Sequence, residues 1–139
     1  MGNVENQGGG NVSSDSSSNS NLGDYDVIIE SCRLATDYAG EPIVIVKYKF
    51  TNNGEEPACF AWSFKDEAFQ DGVGLNKCYL VAGSANYSSD NQTKKIKKSA
   101  SLSVEVAYEL NDSRTDVEIE VSELISFSDK KITKKFSIY

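Results

Sequence analysis

Ser101-Leu102-Ser103-Val104-Glu105-Val106-Ala107-Tyr108-Glu109-Leu110 is the stretch on which the fold turns. Leu102, Val104, Val106, Tyr108 and Leu110 take every second position. Ser101, Ser103, Glu105 and Glu109 fill the positions between, with Ala107 as a neutral exception. Side chains along an extended strand point alternately to opposite faces, so this period of two predicts a strand with one face in a core and one in water. A helix would need apolar residues at every third or fourth position, which this stretch lacks.

Moving outward, Ile43 to Thr51 is rich in β-branched and aromatic residues and predicts the strongest strand. Val44, Val46, Tyr48 and Phe50 form its inward set. Ile43 and Ile45 give way to Lys47 and Lys49 on the other side, so the strand is expected to emerge into solvent. Tyr25 to Thr36 reads as a strand with Ile28, Cys32 and Leu34 on one side and Val27 and Ile29 on the other. Ala58 to Phe64 reads as a third, with Phe60, Trp62 and Phe64 as an inward aromatic stripe. Lys65 to Asn76 is less regular, with one helical turn expected over Asp66 to Gln70. A short strand is expected over Lys77 to Ala82, then a polar loop over Gly83 to Gln92. Val117, Ile119 and Val121 mark a further strand, and Ile132, Phe136 and Ile138 the last. Turns fall at Asp37–Pro42, Asn52–Pro57 and Asn111–Arg114, where Gly, Pro, Asn and Asp accumulate. About seven short strands separated by such turns predict an all-β, antiparallel β-sandwich.

Residues 1–23 differ in kind. Their apolar members are Met1, Val4, Val12 and Leu22, set among Gly, Ser and Asn. Such a segment buries too little to offset the entropy of ordering it, so it is expected to be a disordered tether. Residues 24–139 then form one domain of ordinary size. No apolar run approaches the ~20 residues of a membrane span. Neither a charged n-region nor an apolar h-region follows Met1, so no signal peptide is expected within the chain.

The net charge of -7 argues against nucleic acid as a partner, since phosphate binding needs a cationic face. With no histidine, Ser-His-Asp and Cys-His machinery is excluded, and so are histidine metal sites. Glu55-Glu56, Asp66-Glu67 and Glu118/Glu120 are carboxylate pairs, but they read as solvated surface. Asp66, Glu67 and Asp71 match no calcium-loop spacing. No catalytic residue, metal or cofactor is therefore expected. The three cysteines allow at most one internal bridge. Buried free thiols are one reading; a Cys59–Cys78 disulfide between consecutive expected strands, contributing about 3 kcal/mol, is the other. No CxxC spacing occurs.

The lysines are segregated. Lys94, Lys95, Lys97 and Lys98 precede one late strand, and Lys130, Lys131, Lys134 and Lys135 lie at another. If these groups meet, they form a basic patch for anionic polymer, lipid headgroups or an acidic partner. Otherwise they protect exposed strand edges from pairing. The Gly83 to Gln92 loop, with Asn86, Tyr87 and Asn91 following Tyr79, has the composition of a binding loop. The Asn-X-Ser/Thr triplets at Asn11, Asn86, Asn91 and Asn111 read as chance in an Asn- and Ser-rich chain.

Ile43-Val44-Ile45-Val46-Lys47-Tyr48-Lys49-Phe50-Thr51-Asn52-Asn53, Ala68-Phe69-Gln70-Asp71-Gly72-Val73 and Val104-Glu105-Val106-Ala107-Tyr108-Glu109-Leu110 together resemble a domain of unknown function found on lipoproteins of Gram-positive bacteria. The resemblance implies an immunoglobulin-like sandwich of the kind seen in secreted immunoprotective antigens. It implies an acylated cysteine upstream of the Gly/Ser/Asn leader, and carries over no functional residues. The antibody-domain pattern of Cys, Trp and Cys on separate strands is not met, because Cys59 and Trp62 would share one strand. The expected function is a non-catalytic, extracellular, surface-anchored domain that binds a protein or anionic polymer as a monomer. The alternative is a structural spacer without a specific ligand. Membrane contact is expected only through the implied lipid.

Overall fold

A computed structural model describes residues 12–16, 20–126 and 128–138. Nine strands pair antiparallel in two sheets: β1 (Val12–Ser16), β2 (Asn21–Leu22), β3 (Tyr25–Thr36), β4 (Pro42–Asn52), β5 (Phe64–Gln70), β6 (Val73–Gly74), β7 (Ser101–Glu109), β8 (Val117–Glu123) and β9 (Ile132–Phe136). One sheet has the order β1-β9-β8-β5-β6, and the other β2-β3-β4-β7. The all-β sandwich expected from the alternation is the fold found.

The inward set of β7 and that of β4 face each other in register: Val46 opposite Val106, Val44 opposite Tyr108, Tyr48 opposite Val104. They pack against Ala68, Val117, Ile119 and Val121 of the opposing sheet and against Phe60, Phe64 and Phe136 in one core. Phe50 and Phe64 meet edge-on at 5.2 Å between ring centroids, a favoured aromatic geometry.

Strict alternation misassigns β3. Val27 and Ile29 are buried, Ile28 is exposed, and Cys32 packs on the same core as Val27 and Ile29. A β-bulge at Glu30 accounts for this: Ile29 pairs with Tyr48 and Ser31 with Lys47, so Glu30 has no partner. One extra residue reverses the faces of everything after it.

The segment from Ala58 to Ala82 departs further. Phe60–Ser63 is a helical turn, α1, and not part of a strand. Phe60 and Phe64 are spaced four apart, which places both on one side of a helical turn and in the core. Trp62 lies on the other side and is 75% exposed. The strand begins where irregular structure was expected. In β5 the inward residues are Phe64, Asp66, Ala68 and Gln70, and two polar members mask the alternation. Lys77 to Ala82 is not a strand but makes isolated bridges, Lys77 to Tyr108 and Val81 to Asp37.

Upstream, Leu22 is buried in the main core, and the Val27 N–H bonds the Ser20 carbonyl at 2.8 Å. Ordered structure therefore extends before Asp24, because Leu22 is the one large apolar side chain near the domain edge. Val12–Ser16 pairs with β9. The remainder of the tether expectation falls on residues 1–11 and 17–19, outside the described residues.

Candidate functional site

The outer face of the four-stranded sheet is half covered. Ile43, Ile45 and Ala107 lie on that face and are fully buried, because Cys78 and Val81 pack over them as a second small core. The chain then continues as the Gly83 to Gln92 loop, with 3-10 turns at Gly83–Ala85 and Asp90–Thr93. Beyond its cover, β4 presents Lys47 and Lys49 to solvent, as the strand pattern predicts.

Arg33 holds the loop to the sheet. Its guanidinium donates to the carbonyls of Ala85 and, at 3.0 Å, Asn86, and reaches Glu105 at 3.3 Å. Asn86 sits at φ 55, a left-handed conformation that asparagine tolerates better than most residues. From the other end, the Asn91 side-chain amide donates to Ser103 O at 2.8 Å and that of Gln92 to Glu105 O at 2.6 Å. Tyr87 packs against the second core, and burial raises its hydroxyl pKa.

Loop and sheet enclose an open cavity of about 430 Å³ walled by Arg33, Lys47, Asn86, Ser88, Asn91 and Glu105. Amide, hydroxyl and cationic groups line it, together with the Glu105 carboxylate, which is paired with Arg33. The Lys47 ammonium makes no hydrogen bond or ion pair among the described residues. This is a surface suited to a hydroxylated or anionic ligand. Asn86 and Asn91 belong to the loop singled out from its composition. Arg33, Lys47 and Glu105 come from three different strands and carried no sequence signal beyond their outward phase.

The two lysine groups belong to different sheets. Lys94, Lys95, Lys97 and Lys98 lead into β7, an edge strand of the four-stranded sheet. Lys130, Lys131, Lys134 and Lys135 belong to β9 and the loop before it, in the other sheet, two strands away from β5. Several have local partners: Lys98 with Glu55 at 2.5 Å, Lys131 with Glu120 at 3.0 Å, and Lys135 opposite Glu118 in the ladder. Lys134 lies between Ile132 and Phe136, reaches Ile29 O at 3.3 Å and stands 5.4 Å from the Phe136 ring centroid.

The Cys59–Cys78 bridge is not formed; all three cysteines are free. The thiols lie far apart along the sheet. Ala58, next to Cys59, bridges to Ile96, which also bonds Asn52 at the end of β4, whereas Cys78 bonds Ala107 opposite Ile45. That is seven residues of strand, roughly 20 Å, beyond disulfide reach. Consecutive order implied proximity only while both flanking segments were taken for paired strands.

The carboxylates diverge. Asp66 points into the sandwich and Glu67 away from it, while Asp71 lies in the turn after β5. Asp66 joins the two sheets: it pairs with Lys77 at 3.0 Å and accepts from the Tyr108 hydroxyl, which lies 2.7 Å from that of Tyr48. No cluster of three or more potential metal ligands occurs among the described residues.

Comparison with known proteins gives a family and a fold. A family model described as a domain of unknown function, DUF5067, matches residues 10–123. No curated protein matches the chain. A candidate lipoprotein from Staphylococcus aureus superposes with a TM-score of 0.63 at 14% identity, over 94% of this chain and 92% of that one. A candidate lipoprotein from Bacillus subtilis gives 0.60 at 15% identity, over 88% of this chain. This chain spans 38% of the Bacillus protein. At such identities the likeness concerns the fold.

Proposed function

The chain belongs to the DUF5067 family of domains of unknown function, and from that premise we propose that it is the folded part of a surface lipoprotein, immunoglobulin-like in architecture and non-catalytic, which binds an anionic, hydroxylated polymer of the cell envelope. The lipoprotein character of both structural neighbours supports the extracellular setting. The binding role is carried by one observation: Lys47 makes no hydrogen bond or ion pair among the described residues, at the rim of a cavity lined by polar groups. A phosphate or carboxylate on a polyol chain would satisfy Lys47, while Asn86, Ser88 and Asn91 would accept or donate to its hydroxyls.

The spacer reading is favoured by a different fact. Arg33 and Asn91 already spend donors on holding the loop, so part of the cavity wall serves the fold. Titration of isotope-labelled protein with purified anionic wall polymer separates the two. The binding reading expects amide shifts confined to Ser31–Lys49 and Ala85–Glu105, with Lys47→Gln weakening affinity about tenfold, the worth of one charge-assisted hydrogen bond. Absence of any shift with anionic or neutral envelope polymers would leave the spacer reading.

A further inference from the structure

One end of the sandwich carries apolar side chains that the groove reading leaves unused. Here β5 begins and β8 ends, with Phe64 opposite Glu123. The Leu124 N–H bonds Ser63 O at 3.0 Å, which brings the start of the β8–β9 loop against α1. The segments carrying Trp62 and Leu124–Ile125 are therefore neighbours, and these three side chains are 75%, 45% and 84% exposed. Large apolar side chains exposed on neighbouring segments are what an interaction surface requires.

Both lysine groups flank this cluster. The 94–98 segment is pinned beside α1 by reciprocal bonds between Ala58 and Ile96 at 3.0 and 2.8 Å. Lys130 and Lys131 follow Ile125 on the same loop. Lys94, Lys95, Lys97 and Lys130 make no ion pair among the described residues, whereas Glu55, Glu67 and Glu120 are held by Lys98, Lys65 and Lys131. Asp24, Glu56, Asp90, Glu123 and Asp129 share this end and offset its lysines, so apolar insertion must supply much of any affinity. Basic side chains around an exposed tryptophan and aliphatic tips match a bilayer interface, where indole sits at headgroup depth and ammonium groups meet lipid phosphate.

We propose that this end of the domain docks on an anionic lipid surface, inserting Trp62, Leu124 and Ile125 between lysine–headgroup contacts. The groove and its ligand are not needed for this. A lipid anchor would strengthen the contact by raising local concentration.

Trp62 is the single tryptophan of the chain, so its fluorescence reports this site alone. The purified chain is titrated with vesicles of phosphatidylcholine containing phosphatidylglycerol, and with phosphatidylcholine alone. The expected result is a blue shift of emission with the anionic vesicles, quenched by brominated acyl chains and weakened by salt. Replacing Lys94, Lys95 and Lys130 together with Gln should weaken binding roughly tenfold or more. Ile125→Ser should abolish the shift while circular dichroism stays unchanged, and Lys47→Gln should leave it intact. An unshifted emission with anionic vesicles overturns the proposal, as does an equal response to both vesicle types. A shift that follows protein concentration without lipid, or appears only with a protein extract, assigns the patch to a second copy or a protein partner instead. Loss of the shift in Lys47→Gln alone would move lipid binding to the groove.

Discussion

Four side chains decide how the two sheets are joined. The Tyr108 hydroxyl donates its hydrogen bond to Asp66, so the Tyr48 hydroxyl must donate to Tyr108, and Lys77 closes the chain at the other Asp66 oxygen. Tyr108 occupies the middle of this relay and Tyr48 its end. Tyr108→Phe would orphan both neighbours and should cost roughly 2–3 kcal/mol, whereas Tyr48→Phe should cost about 1. Urea denaturation of the two variants tests that order. Burial, and after it the Asp66 charge, raises the Tyr48 hydroxyl well above its usual range. Tyr108 rises chiefly through burial, and burial lifts the Cys32 thiol to about 12 despite nearby Lys134. All three are largely protonated in both folded and unfolded chains below about pH 8, where an ordinary thiol starts to ionise. Above it the unfolded chain releases protons first, so it binds fewer than the native state and stability falls as pH rises. The melting temperature should hold up to about pH 8 and drop steadily from there towards 12. A melting temperature unchanged at pH 11 would show that these groups are not protected by the fold.

Among the elements, β3 and β5 show where pattern reading fails and why. In β3 the bulge at Glu30 lets Val27 and Ile29 share a face with Cys32, a combination that strict period two forbids. Because the pairing on either side of Glu30 is continuous with β4, deleting Glu30 should keep every inward residue inward. The deletion variant is expected to fold with a change of about 1 kcal/mol or less, while deletion of Lys47 from the facing strand should throw its register and abolish the fold. Thermal melts followed by circular dichroism distinguish these outcomes. In β5 the obstacle was chemical. Asp66 is inward because Tyr108 and Lys77 satisfy it, and Gln70 because its amide bonds the carbonyls of Asp112 and Thr115 and the N–H of Asn111. Buried polar residues with complete partners look like surface to any hydropathy pattern.

On the scale of the whole molecule, one leucine ties the Gly/Ser/Asn segment into the main core. Leu22 lies in the main core and Ser20 is bonded to Val27, although both belong to a segment whose composition argues against order. A chain beginning at Ser20 gives up the β1–β9 pairing but keeps Leu22, and serves as the reference. One beginning at Asp24 should lose about 2 kcal/mol of apolar burial and melt several degrees lower. Equal melting temperatures for the two would mean that Leu22 contributes nothing. The charge distribution is also a whole-molecule property: an excess of acid overall coexists with two segregated lysine groups on different sheets.

The amino-acid sequence by itself determined that this chain makes antiparallel strands and stacks them, through the period of Ser101 to Leu110 and the β-branched run of Ile43 to Thr51. Period and propensity act within one strand, so no distant partner is required to read them. The sequence also marked the Gly83 to Gln92 loop as polar and apart. Only the tertiary structure decided that this loop folds over Ile43 and Ile45, that Arg33 and Lys47 meet it across the sheet, and that Trp62 turns outward on a segment neighbouring that of Ile125. Those placements depend on a bulge, on a helical turn in place of a strand, and on polar side chains buried by virtue of remote partners. Each is a contact between residues far apart in the chain, and such contacts leave no local period to be read.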